Sequence, residues 1–71
     1  MPIAKIWIRG LTCAADERRV EEALRAEDGI FGAIANRSSG CGEIDYEDDE
    51  VSINRILDIV RDAGFEPELA G

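Results

Sequence analysis

From Ile3 to Arg9 apolar and polar positions alternate, with Ala4, Ile6 and Ile8 set against Lys5, Trp7 and Arg9. This period-two pattern, rich in β-branched and aromatic side chains, predicts a strand with one buried face. Gly10 breaks it. A helix is predicted from about Cys13 to Glu27, with Val20, Ala23 and Leu24 as its apolar stripe and Asp28-Gly29 as its stop. Asp16 and Glu17 fall in its first turn, where acids suit the helix dipole. Glu21 and Arg25 have the i,i+4 spacing of a surface ion pair. Ile30 to Arg37 forms a second strand, diluted by Gly32 and two alanines, and Ser38-Ser39-Gly40 forms a turn. Cys41 to Glu47 is a third strand, with Ile44 and Tyr46 on one face and Cys41, Glu43 and Asp45 on the other. Ser52 can cap a second helix. Its stripe, Ile53, Ile56, Leu57, Val60 and Ala63, recurs at helical spacing. Gly64 ends that helix, and Phe65 to Leu69 is a short last strand that Pro67 confines to an edge.

The order βαββαβ, with right-handed crossovers, predicts an α+β, ferredoxin-like sandwich. Its four antiparallel strands carry both helices on one face, and the first and third strands lie in the middle. The topology fixes which loops share an end. The stretch "GLTCAAD" (Gly10 to Asp16), the Ser38–Gly40 turn and the Ala63–Phe65 loop are expected together. Strand pairing is expected to set Cys41 near Arg9. Trp7, Arg9 and Ile34 share the open sheet face, which packs on its own neighbours or serves as an interaction surface, including a homodimer contact.

Composition narrows the function. A length of 71 residues predicts one small domain, residues 1–71, with a single core and no room for a deep enzyme cleft. Sixteen acidic against eight basic residues give a net charge of −8, which argues against nucleic acid and anionic membranes as partners. No run approaches the roughly 20 apolar residues of a membrane span, and Lys5 interrupts the N-terminal apolar run, so no signal peptide is expected. Two cysteines are too few for a disulfide framework, so a cytoplasmic setting with reduced thiols is expected. Histidine is absent, which removes the commonest general base and the commonest metal ligand. With no triad and no phosphate loop either, catalysis is not expected. The acidic run Glu43 to Glu50 lacks the spacing of a calcium loop and reads as a solvated face.

"GLTCAAD", followed by "RRVEEAL", "DGI", "ANRSSG" and a closing "DAGFEP", resembles the heavy-metal-associated domain family over nearly the whole chain. Copper metallochaperones, mercury-binding proteins and the N-terminal domains of metal-transporting P-type ATPases share this fold. That family has Gly-Met-Thr-Cys-x-x-Cys in the loop, and both cysteines bind the metal. Here Cys13 matches the first, Asp16 stands at the second, and Leu11 replaces the methionine. The resemblance therefore implies binding of one heavy-metal ion through Cys13, with Asp16 at the second ligand position and Thr12, Glu17 and Phe65 around the site. The topology, not the resemblance, adds Cys41 at the same end of the sheet, either as a relocated second thiolate or as an unrelated surface cysteine. Two thiolates suit Cu(I). A thiolate with a carboxylate shifts preference toward Zn²⁺ or Cd²⁺. A metallochaperone or a transporter's regulatory domain is implied, with a metal-transporting ATPase or another metalloprotein as partner. The alternative is a metal-free interaction or dimerisation module that kept the fold and uses the open face around Trp7.

Overall fold

The computed structural model describes residues 2–70. Its elements are β1 (Ile3–Arg9), α1 (Ala14–Arg25), β2 (Ile30–Asn36), β3 (Cys41–Tyr46), α2 (Ile53–Asp62) and β4 (Glu66–Leu69). They form one antiparallel sheet in the order β2-β3-β1-β4. The expected sandwich is thus what forms, with β1 and β3 central and Pro67 on the edge strand, paired with Ile8.

Burial follows the alternation. Ala4, Ile6 and Ile8 of β1 and Ile44 and Tyr46 of β3 point toward the helices and are buried. From α1 they meet Val20 and Leu24, and from α2 Ile56, Ile59 and Val60. Ile59 lies outside the stripe read from the sequence. It is buried because α2 packs on β4 along one side and on α1 along the other, so its apolar arc is wider than a single stripe. Ser52 caps α2 as expected, its Oγ accepting from the Arg55 N–H at 3.2 Å. Fully burying side chains of the size of Ile6, Leu24, Ile44 and Ile56 stabilises a fold by roughly 1.5–3 kcal/mol each, and these four are the largest with almost no exposure.

The expected Glu21–Arg25 pair does not form, because both side chains serve the sheet. Glu21 Oε2 accepts from the Ala35 N–H at 2.9 Å, and Arg25 Nη2 donates to the Ala33 carbonyl at 2.8 Å. One turn earlier, Glu17 Oε2 accepts from the Arg37 N–H at 2.7 Å. Residues 17, 21 and 25 are four apart on the helix, about 6 Å per step. Their strand partners 37, 35 and 33 are two apart, about 6.7 Å per step. The two repeats nearly match, so one row of helix side chains satisfies the outer backbone edge of β2. An open edge is a hazard for strand-to-strand aggregation, and α1 removes much of it here.

Candidate metal centre

Three segments meet at the end of the sheet beyond β1. The Ile8 N–H donates to the Gly40 carbonyl at 2.7 Å, which fastens the end of β1 to the β2–β3 turn. Gly10 turns the chain with a φ of 104°. A Cβ there would stand 3.2 Å from Phe65 Cδ1, so the loop runs close against the buried ring of Phe65. Arg19, from the second turn of α1, donates from Nη2 to the Ala63 carbonyl at 2.8 Å. Its guanidinium also stands 5.5 Å from the centre of the Phe65 ring. The expected meeting of these loops therefore forms, and Phe65 is a packed member of the core that also backs the loop.

Within the loop, Cys13 is the N-cap residue of α1, in extended conformation with φ −151° and ψ 172°. Its carbonyl accepts from the Asp16 and Glu17 N–H groups, while its side chain makes no capping bond. The thiol is exposed. It is therefore an exposed soft donor at the N-terminus of α1 that takes no part in capping the helix.

Asp16 is engaged differently. One oxygen, Oδ2, accepts from the Thr12 N–H at 3.0 Å and from the Thr12 hydroxyl at 2.7 Å. The Thr12 hydroxyl is the main reason that the Asp16 carboxyl is held below its ordinary value of 3.8; the Thr12 amide adds to it, and Cys13 and Arg19 add less, against a small opposing effect of burial. Thr12 and Asp16 thus brace the loop on either side of Cys13. Glu17 is committed to the β2–β3 turn, since besides the Arg37 N–H its carboxylate stands 3.6 Å from the Arg37 guanidinium.

Cys41 stands elsewhere. It pairs across the sheet with Trp7 on one side and Asn36 on the other. Arg9, its expected neighbour, stands two residues beyond Trp7 on the same face of β1, a diagonal step from Cys41, and pairs on its other side with Glu66 of β4. Cys41 shares the open face with Glu43 and Asp45, as the alternation implies, and its Sγ lies 3.1 Å from Ser39 Oγ. Helix α1, which carries Cys13 at its cap, covers the opposite face. Among the described residues, Cys13, Asp16 and Cys41 do not bring their donor atoms within 4.8 Å of one another. The trio is therefore not a preformed three-ligand cage. The one such grouping among the described residues, Glu47, Asp48 and Asp49, lies in the loop after β3, at the other end of the sheet.

No helix among the described residues is long and apolar enough to cross a membrane. No family model matches the chain. Individual proteins do. The copper-transporting ATPase RAN1 of Arabidopsis thaliana is 34% identical over 67 residues, which is 94% of this chain but 7% of the length of that ATPase. The copper chaperone CopZ of Staphylococcus aureus is 29% identical over 83% of this chain and 87% of its own length. The solved copper-binding domain of HMA7, a P-type ATPase, superposes with a TM-score of 0.97 at 30% identity, covering 100% of this chain and 96% of that one. Element order, loop position and these likenesses agree, and the chain belongs to the heavy-metal-associated domain family.

Proposed function

We propose that this chain binds one soft heavy-metal ion as cargo, Cu(I) before Zn²⁺ or Cd²⁺, and passes it to a partner by ligand exchange. The observation that carries this reading is the exposed, uncapped thiol of Cys13 on a braced loop, in a fold shared with proteins named for copper transport. Cys13 is the primary ligand. Asp16 takes part through its second oxygen, while Oδ2 holds Thr12. Cys41, on the far side of the sheet, is the weaker candidate for the second position.

A single thiolate leaves two-coordinate Cu(I) one soft ligand short. The missing ligand then comes most simply from the receiving protein, and the metal moves as the receiver's thiolates replace Cys13. A cytoplasmic setting, which keeps the thiol reduced, and a metal-transporting ATPase as receiver fit this role. The role is carriage, not catalysis. A second reading, a metal-free interaction module, is favoured by the exposed apolar side chains on the sheet face away from the loop.

The test is anaerobic native mass spectrometry of the reduced protein with Cu(I), Zn²⁺ and Cd²⁺ in turn, repeated on Cys13→Ser, Asp16→Ala and Cys41→Ser. One metal ion per chain is expected in the wild type, none in Cys13→Ser, and wild-type loading in Cys41→Ser. No metal retained at micromolar concentration would overturn the reading in favour of the interaction module.

A further inference from the structure

The sheet face away from the helices has an ordered pattern. Its central strand β3 presents Cys41, Glu43 and Asp45, with no base in the row. On one side β1 presents Ile3 and Trp7, which are 64% and 47% exposed, with Lys5 between them. On the other β2 presents Ile34 and, at its bulge, Phe31, which are 66% and 59% exposed. An acidic rail thus runs between two largely apolar banks, of which the β1 bank is interrupted by Lys5 opposite Glu43. The banks lie two strand spacings apart, about 10 Å, and Ile3 to Trp7 spans about 14 Å along the strand.

The acids in this trough lack partners. None of the ion pairs among the described residues involves Glu43 or Asp45, although Lys5 lies directly opposite Glu43 in the ladder. Asp45 Oδ1 is buried and has no hydrogen-bond partner. It sits in the row that joins Ile3 and Gly32 across the sheet. A buried carboxylate oxygen without a donor is costly, so Asp45 is held in this row at a cost that no group of this chain offsets.

We propose that this face docks a cationic amphipathic helix of a partner protein, with its bases on Glu43 and Asp45 and its apolar side chains on the two banks. The dimensions fit. Bases at i and i+4 of a helix lie about 6 Å apart along its axis, and residues 43 and 45 are about 6.7 Å apart along β3. A helix is about 10 Å wide with its side chains, as is the trough. The charge also selects the occupant. The net charge of −8 draws a cationic segment toward the protein. Two copies of this face would bring four acids together with only two bases beside them in the ladder, the Lys5 of each copy, so a cationic partner complements it better than a second copy does. Strand addition at β2 is blocked because Glu17, Glu21 and Arg25 already occupy its edge.

Trp7 is the single tryptophan and lines the trough, so its emission reports occupancy directly. The probe is a synthetic amphipathic helix of about 14 residues, roughly 21 Å long, with lysines at i and i+4 flanked by leucines. The control peptide has the same composition in scrambled order. A saturable blue shift at micromolar peptide is expected, weakened by salt and absent with the scrambled peptide. Glu43→Gln with Asp45→Asn should weaken binding at least tenfold. Neutralising Glu47, Asp48 and Asp49 should leave it within twofold. Cys13→Ser should bind as wild type, which separates this surface from the metal reading. No blue shift, or equal loss from either set of neutralised acids, overturns the proposal. Sedimentation equilibrium showing a dimer that buries Trp7 overturns it in favour of a second copy as occupant. Circular dichroism confirms that each variant is folded.

Discussion

Gly10→Ala is the substitution through which the loop's architecture is most directly measured. Gly10 has φ 104°, beyond the left-handed well near +60° that other residues occasionally occupy. Placing alanine there costs about 1–3 kcal/mol in backbone strain. The new Cβ would also meet Phe65 Cδ1 at 3.2 Å, close enough that the ring must give way. That ring is buried and faces the Arg19 guanidinium, so its movement costs about 1 kcal/mol more. The expected loss is about 3 kcal/mol, a large part of the roughly 4–11 kcal/mol typical of a chain this long. Gly40→Ala supplies the internal control. Its φ of 73° is also positive, but nothing lies within 4 Å of its added Cβ, so it should lose only about 1 kcal/mol. Urea unfolding at 25 °C, followed by circular dichroism, gives both values. Phe65→Leu combined with Gly10→Ala should recover about 1 kcal/mol of coupling in a double-mutant cycle. If Gly10→Ala falls within 0.5 kcal/mol of Gly40→Ala, a difference at the level of additivity error, the loop does not rest on Phe65 as described.

Other consequences are as direct. Glu21→Ala leaves the Ala35 N–H without its acceptor. It should destabilise by about 1–2 kcal/mol and speed amide exchange at Ala35 far more than at Ile44. The Thr12–Asp16 brace depends on pH with a definite sign. The Asp16 pKa is lower folded than unfolded, so the brace contributes fully above the ordinary value of 3.8 and is lost as pH falls below it through the depressed folded value. The Thr12 amide resonance should shift over that acid range and stay flat in Asp16→Asn. Asp16→Cys restores the family's second thiol and should tighten Cu(I) binding by at least tenfold. Zn²⁺ should gain less, and an unchanged Cu(I) affinity would show that the loop does not aim position 16 at the metal.

Most of the fold could be read from local pattern. Alternation at Ile3–Arg9 and the α2 stripe each follow from a single element's own periodicity. What escaped the sequence depends on contacts between elements. Glu21 and Arg25 had the spacing of a surface pair, but their choice of Ala35 and Ala33 follows from α1 lying along the edge of β2, which no helix pattern reveals. Ile59 was missed for the same reason. At the site, the gathering of loops was legible because topology alone dictates it. The pairing of Cys41 was not, since two residues of strand register decide whether it stands opposite Trp7 or Arg9, and it stands opposite Trp7. The role of Asp16 as a brace needed the Thr12 hydroxyl to be seen within 2.7 Å. A Thr-x-x-x-Asp spacing at the start of the helix was the available signal for it.

The central claim is that Cys13 holds the metal. It is tested most directly by anaerobic competition of the reduced protein against a chromophoric Cu(I) chelator, comparing wild type with Cys13→Ser. The account predicts that wild type withdraws one equivalent of Cu(I) from the chelator and that Cys13→Ser withdraws none. Equal withdrawal by both proteins, or none by either, would contradict it.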